Sequence, residues 1–351
     1  MGKKANINHI LIIRLSAMGD VAMLVPCVLA LTEKYPLLNI TILTRERFMP
    51  IFENIPRVSF FSAEVKTKHK GILGLYRLYK QLSALQIDAV ADTHNVLRSS
   101  ILKLFFKVRG ILFVQVNKGR KEKKLLVQEK DKVFKPLKTT HQRYADVFKR
   151  LGFPITLLND NVLVKVALPK RILPLVNESE SLVAIAPFAA YKSKMYPLIL
   201  MEEVIKKISQ YSNVKILLLG GGKKEVEILD KIAEKLGDNV VNVSGRLSFE
   251  QELALISNLR VMLSMDSGNG HLAANYGIPV ITLWGVTHPY AGFAPFGQSE
   301  ENSLCADRSQ YPLIPTSVYG NKFPAGYDKA MESISPDDVY QKVVSVLEKN
   351  D

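Results

Sequence analysis

The sequence predicts an α/β protein built from two Rossmann-like halves, each a parallel sheet wound with helices. Three observations predict it. The apolar runs Ile10-Leu11-Ile12-Ile13 and Leu182-Val183-Ala184-Ile185-Ala186 show no polar alternation, so they read as strands buried on both faces. Each run passes through a short turn of small residues into a helical pattern, which is the order of a βαβ unit. The pattern then starts afresh after residues 169–181, where Pro169, Pro174 and the polar run Asn177-Glu178-Ser179-Glu180-Ser181 interrupt it. A length of 351 residues agrees with two domains at roughly 150 residues each.

The elements follow in order. After the first strand, the turn Ser16-Ala17-Met18-Gly19-Asp20 opens a helical pattern through about Lys34, closed by Pro36. Strands are expected at residues 39–43, 58–61, 87–92 and 111–116. In the second half they are expected at 182–186, 214–219, 240–243, 261–264 and 279–283, with helical stretches between them, one at 198–211. Ser335-Pro336-Asp337-Asp338 starts a last helix: a capping Ser, Pro in the first turn, then acids. The expected domains are residues 1–170, residues 171–330 and a terminal helix over 331–351.

Composition narrows the class. Hydrophobic residues make up 47% and charged residues 23%, the profile of an ordinary globular protein and not of a disordered one. Two cysteines, Cys27 and Cys305, can build neither a disulfide framework nor a four-ligand zinc site, and they fit a reducing compartment. The apolar run at residues 21–31 is 11 residues long, against the roughly 20 that a spanning helix needs. The start, Met1-Gly2-Lys3-Lys4-Ala5-Asn6, lacks the apolar stretch of a signal peptide, and Asn6 stands where myristoylation wants Ser or Thr. A cytoplasmic location is the expectation.

The net charge of +14 is unevenly placed. Residues 1–170 hold 30 Lys and Arg against 12 Asp and Glu; residues 171–351 hold 17 against 21. The clusters are Lys66, Lys68, His69, Lys70, Arg77 and Lys80, and then Lys118, Arg120, Lys121, Lys123 and Lys124. Such a field attracts anions: nucleic acid, lipid head groups or a phosphorylated substrate. A merely solubilising surface is the plain alternative.

In a doubly wound sheet, ligands bind at the carboxyl ends of strands, so the loops there carry the chemistry. Three stand out. In Arg14-Leu15-Ser16-Ala17-Met18-Gly19-Asp20, Asp20 either caps a helix or offers a carboxylate to accept a proton. In Pro187-Phe188-Ala189-Ala190-Tyr191-Lys192-Ser193-Lys194, small residues precede two lysines that can neutralise a diphosphate or simply lie on the surface. In Ser264-Met265-Asp266-Ser267-Gly268-Asn269-Gly270-His271, a strand meets a turn that opens a helix, whose amides suit phosphate. Asp266 and His271 read equally as a packed polar pair. Neither a Walker A loop nor the G-x-G-x-x-G dinucleotide fingerprint is present.

Those loops carry a resemblance. R-L-S-A-M-G-D at residues 14–20, K-M-Y-P at 194–197, D-S-G-N-G-H-L-A-A at 266–274, then G-I-P-V and W-G-V-T-H-P at 284–289 resemble the ADP-heptose:lipopolysaccharide heptosyltransferases of glycosyltransferase family 9. The likeness runs over about residues 9–347. It implies the GT-B fold, with two Rossmann-like domains facing across a cleft and the last helix crossing back to the first domain. The first domain would bind acceptor and the second the nucleotide sugar. By the same resemblance, Asp20 is the catalytic base and Lys194 binds the donor diphosphate. Asp266 and His271 contact the donor, Ser267 and Gly268 give amides to its phosphates, Glu225 lies near the nucleoside and Leu247 packs on the base.

The sequence departs from the family where Ala189-Ala190 replace a pair of hydroxyl residues, Tyr196 replaces Trp, Gly270 replaces a commoner Ser, and residues 316–331 lack cysteine. The implied reaction is an inverting heptosyl transfer from ADP-heptose to a phosphorylated lipopolysaccharide core, with no cofactor and no metal. Lys66, Lys68, Lys70, Lys121, Lys123 and Lys124 are expected to face that anionic acceptor and the anionic inner surface of the membrane. The alternatives are transfer from another nucleotide-diphosphate sugar, and a non-catalytic anion- or nucleic-acid-binding protein. Nucleic acid is not expected, because no helix-turn-helix, RRM or zinc-finger signature is present and aromatics do not interleave with the basic clusters.

Overall fold

The computed structural model describes residues 7–175 and 180–349. The N-terminal six residues, residues 176–179 of the expected linker and residues 350–351 of the expected terminal helix therefore lie outside the described residues.

The chain forms two compact units, and each holds one parallel sheet. In the first unit, β1 (His9–Ile13) leads into α1 (Met18–Ala22) and α2 (Val25–Lys34). Then come β2 (Asn39–Thr44), β3 (Val58–Ser62), α3 (Gly71–Ser83), β4 (Ala89–Asp92), α4 (Leu97–Val108) and β5 (Leu112–Gln115). The single helix expected up to Lys34 is in fact two, because Pro26 has no amide to donate and sits best in the first turn of a new helix. The strand order is β3-β2-β1-β4-β5, all parallel. Ile10 to Ile13 are fully buried, as a strand covered on both faces requires.

The chain then leaves this unit with α5 (Arg120–Val127) and returns with α6 (Thr140–Leu151). Residues 119–139 were expected in the first domain, but they fold with the second unit. The Lys132 ammonium donates to the carbonyls of Leu126, Leu313 and Pro315 at 3.0, 2.8 and 2.7 Å. The Leu137 N–H donates to the Tyr290 carbonyl at 2.9 Å, and the Arg308 guanidinium lies 3.5 Å from the Phe134 ring centroid. Lys123 is buried, with its ammonium 3.9 Å from the Phe293 ring centroid. Its charge is spent on an aromatic face within the second unit, which corrects its expected place among the exposed acceptor-facing lysines. By these boundaries the first unit has 20 Lys and Arg against 9 Asp and Glu, and the second 27 against 24, so the asymmetry is smaller but keeps its direction.

The second sheet contains β6 (Ser181–Ala186), β7 (Val214–Leu218), β8 (Val240–Asn242), β9 (Val261–Met265), β10 (Val280–Trp284) and β11 (Ser303–Cys305). Its helices are α7 (Leu198–Ser209), α8 (Lys223–Leu236), α9 (Phe249–Ile256), α10 (Gly268–Ala274) and α11 (Pro336–Lys349). The order is β11-β10-β9-β6-β7-β8, all parallel. The short edge strand β11 was not expected, since three residues leave no apolar run to read.

The last helix begins at Pro336 as expected, but its partner differs. Val339, Val343, Val346 and Leu347 belong to the core of the second unit, beside Met201, Val204 and Ile205 of α7. Roughly 1.5–3 kcal/mol for each fully buried aliphatic side chain holds it there. Residues 331–351 were expected as a piece separate from the second domain; instead the described part of the helix completes the second unit's own core.

Candidate functional site

A parallel sheet offers a crevice where neighbouring strands feed loops in opposite directions. In the first sheet that switch point lies between β1 and β4; in the second it lies between β6 and β9. In each unit the two loops at the switch point are tied to each other by charged side chains.

In the first unit the tie is Arg14, buried directly after β1. Its Nη2 meets Asp20 Oδ2 at 2.6 Å, and its Nη1 donates to the Thr93 carbonyl after β4 at 2.7 Å. Asp20 is the third residue of α1, and its Oδ2 also accepts from the Ala17 N–H at 3.3 Å. The capping role is therefore real, but it uses one oxygen: Oδ1 has no protein partner among the described residues, and the side chain is 29% exposed. The Tyr144 hydroxyl donates to the Asp20 carbonyl at 3.3 Å. Burial pushes this phenol well above its ordinary pKa, with Arg14 opposing the shift. Tyr144 is thus a fixed donor and not an acid.

Sequence reasoning missed His94. It follows β4, and its Nε2 lies 3.5 Å from the Ser16 hydroxyl. Burial, then the nearby Arg14 and Lys118 charges, push its pKa down to about 3, so it is neutral near pH 7. Asp92 holds the loop by accepting from the backbone N–H of His94 and Asn95 at 3.0 and 2.8 Å. The signal was available: Thr93-His94-Asn95 stands after an expected strand, where ligand loops belong.

In the second unit the tie is the pair Lys194 and Asp266. Lys194 Nζ lies 2.8 Å from Asp266 Oδ2, and the two side chains are 13% and 10% exposed. One comes from the loop after β6 and the other from the end of β9, so the pair spans the switch point. Ser267 caps α10, and its hydroxyl is buried without a partner among the described residues. Gly268 is the first residue of that helix, and His271 is buried within it.

The loop bearing Lys194 is held against Gly320. The Ser193 hydroxyl donates to the Gly320 carbonyl. A Cβ on Gly320 would lie 2.5 Å from both Cγ and Cδ of Lys194, and φ there is +78°. Gly320→Ala is therefore expected to displace the lysine stem and to weaken nucleotide binding roughly tenfold, with a stability loss of about 1–3 kcal/mol. Titration calorimetry with ADP and a thermal melt check both effects.

Two departures from the family pattern have local explanations. A Cβ at Gly270 would sit 2.7 Å from the Ser264 hydroxyl, so Gly270 leaves room for Ser264. Tyr196 is buried where the family has Trp, and its hydroxyl donates to the Ile334 carbonyl at 2.7 Å, which satisfies the polar end of the ring.

Glu225 and Leu247 lie at the same end of the sheet, after β7 and β8. Glu225 Oε2 accepts from the Gly221 N–H at 2.6 Å, so its carboxylate shapes the glycine turn. Leu247 lines a shallow pocket of about 340 Å³ with Ile172, Leu175, Val243, Arg171 and Arg246. Among the described residues, neither side chain hydrogen-bonds to Lys194 or Asp266. Lys66, Lys68 and Lys70 are exposed on the first unit, with Lys68 paired to Glu64 at 2.8 Å. Lys121 and Lys124 are exposed on α5. No described helix is long and apolar enough to cross a membrane.

Two parallel, doubly wound sheets with ligand loops at their switch points are the architecture of the GT-B fold. The sequence model of glycosyltransferase family 9 (heptosyltransferase) matches residues 75–316, and the chain belongs to this family. The chain is 27% identical over 279 residues to a lipopolysaccharide core heptosyltransferase of Haemophilus influenzae, covering 79% of each chain. A family 9 glycosyltransferase structure from Veillonella parvula superposes with a TM-score of 0.74 at 16% identity, covering 97% of this chain and 98% of that one. The E. coli heptosyltransferase WaaC, solved with ADP, superposes with a TM-score of 0.70 at 18% identity, covering 96% and 99%.

Proposed function

We propose that this heptosyltransferase moves a heptose from ADP-heptose to a phosphorylated lipopolysaccharide-core acceptor with inversion at the anomeric carbon. The observation that carries the reading is the Lys194–Asp266 pair spanning the second switch point. A half-buried ammonium in that position suits a diphosphate, whose developing charge it stabilises as ADP leaves. The amides at Ser267 and Gly268, at the start of α10, add to it, with His271 behind them. Glu225 and Leu247 hold the nucleoside, the latter by packing its side chain on the base.

Asp20 supplies the other half of the chemistry. An acceptor hydroxyl attacks the anomeric carbon, the bond from that carbon to the diphosphate oxygen breaks, and ADP departs with the electron pair. The hydroxyl proton passes to Asp20, whose Oδ1 is free to take it. Arg14 orients that carboxylate before the reaction. The relatives support the donor and acceptor classes: WaaC is a heptosyltransferase solved with ADP and with ADP-2-deoxy-2-fluoro heptose, and the H. influenzae relative acts on the lipopolysaccharide core.

A thermal-shift series with ADP, UDP, GDP and their sugar conjugates tests the donor. ADP and ADP-heptose are expected to raise Tm most; a larger rise with UDP or GDP would assign another nucleotide.

The exposed Lys66, Lys68 and Lys70 of the first unit are proposed to meet the acceptor and an anionic inner membrane face, and the exposed Lys121 and Lys124 of the second unit are proposed to do the same. Exposed charges are screened beyond roughly 8–10 Å at physiological salt. Reversing Lys66, Lys68 and Lys70 to Glu is therefore expected to weaken acceptor binding, most at low salt, while ADP affinity stays within about twofold. Acceptor binding unchanged by the reversal, measured beside ADP calorimetry, would leave this surface a solubilising one.

A further inference from the structure

The outward face of α3 and α4 is apolar and cationic at once. On α3, Ile72 is 67% exposed and Leu73 85%, and Tyr76 stands beside them one turn on. Leu75, Leu78, Tyr79 and Leu82 of the same helix point into the first core. On α4, Leu97, Leu104 and Val108 form an exposed stripe, with Leu104 at 64% and Val108 at 88%, and half-buried Ile101 and Phe105 lie between them. The Phe105 and Tyr76 rings meet edge-on at 5.5 Å, so the two helices present one surface. Large exposed aliphatic side chains gathered on adjacent helices mark an interaction site, whereas single ones need no explanation.

The charges on this face have one sign. Neither helix contains Asp or Glu; they carry Arg77, Lys80, Arg98, Lys103 and Lys107, with Lys70 and Arg109 at their ends. Lys103 is drawn to Gln115 at 2.6 Å, and the other six are exposed. The two carboxylates between the helices in sequence are already engaged. Asp88 accepts from the backbone N–H of Asn8 and His9, and Asp92 from His94, Asn95 and Gln115.

We propose that the outward face of α3 and α4 docks on an anionic lipid surface, with Leu73, Leu104 and Val108 entering the acyl boundary and the arginines and lysines meeting lipid phosphates. This deepens the peripheral-membrane part of the reading above and rests on that part alone, whatever the donor or acceptor. Interfacial binding needs this combination: apolar side chains to bury, and cations to hold the headgroup layer. A second copy seated on this face in two-fold fashion would set cation against cation, with no acid on either helix to pair. Nucleic acid is the poorer match, because the most exposed side chains are aliphatic and offer no ring for bases to stack on.

The test uses the full chain and vesicles free of acceptor. The parent is expected to co-sediment with phosphatidylethanolamine–phosphatidylglycerol vesicles and not with phosphatidylcholine vesicles. The triple variant Leu73→Ser/Leu104→Ser/Val108→Ser is expected to bind the anionic vesicles at least about tenfold more weakly, with its Tm and its ADP-induced thermal shift preserved. The chain has one tryptophan, Trp284, which is buried. The Leu73→Trp variant therefore reports the face directly, and its emission is expected to shift to the blue on anionic vesicles. The proposal is overturned if the triple variant binds as the parent does, or if the Leu73→Trp emission stays fixed while the protein sediments. If the lysine reversals abolish vesicle binding and the triple variant does not, the basic surface stands and this face is excluded. A parent that binds no vesicle overturns both, and a concentration-dependent dimer lost in the triple variant assigns the face to a second copy.

Discussion

Asp20→Asn is expected to bind ADP as the parent does and to turn over about 10²–10⁴-fold more slowly, the range for removal of a positioned general base. The substitution separates two roles that the structure gives the same side chain. The Asn side-chain oxygen can still accept from the Ala17 N–H, as Asp20 Oδ2 does at 3.3 Å, so α1 keeps its beginning. What Asn cannot do is take a proton. It also leaves Arg14 without its anion, but that guanidinium keeps the Thr93 carbonyl at 2.7 Å and stays in place. Near-normal turnover in this variant, measured by ADP release, would return Asp20 to capping alone.

Lys194→Ala is expected to weaken ADP-heptose binding by about 1.5–3 kcal/mol, roughly 10- to 150-fold. Two losses combine. The diphosphate loses a charge-assisted partner, and Asp266, only 10% exposed, is left as an unpaired carboxylate facing the incoming phosphates. The double variant Lys194→Ala/Asp266→Asn is therefore expected to recover part of the affinity, since it removes the repulsion along with the attraction. Lys192→Ala is expected to do less than Lys194→Ala, because Lys192 has no such buried partner. Calorimetry on the four proteins checks the order; equal effects of the two single lysine variants would show that the diphosphate lies elsewhere.

The parallel sheets were legible because buried strands such as Ile10 to Ile13 tolerate no polar residue, and the turns after them mark the ligand edge. Asp20, Lys194 and Asp266 were legible for the same reason, as they stand just after strands. Three features were not. The attachment of residues 119–139 to the second unit depends on Lys132 reaching carbonyls at Leu313 and Pro315, and no local pattern encodes a bond across some 180 residues. The place of the terminal helix depends on which core its valines enter; an amphipathic stripe shows that a core exists but not which one. Gly320 matters only because the stem of Lys194 passes beside it. The apolar face of α3 and α4 was hidden by its own periodicity, since a stripe of Leu and Val at helical spacing ordinarily means burial.

If this chain transfers heptose with Asp20 as base and Lys194 on the leaving diphosphate, a single reaction shows it. The direct measurement is a single-enzyme reaction with ADP-heptose and an inner-core lipopolysaccharide acceptor, with the acceptor weighed by mass spectrometry and ADP followed in parallel. The acceptor is expected to be heavier by one heptosyl residue, with ADP released in equal amount and both products lost together in Asp20→Asn. ADP release without a heavier acceptor, or an acceptor extended just as fast by Asp20→Asn, would contradict this assignment.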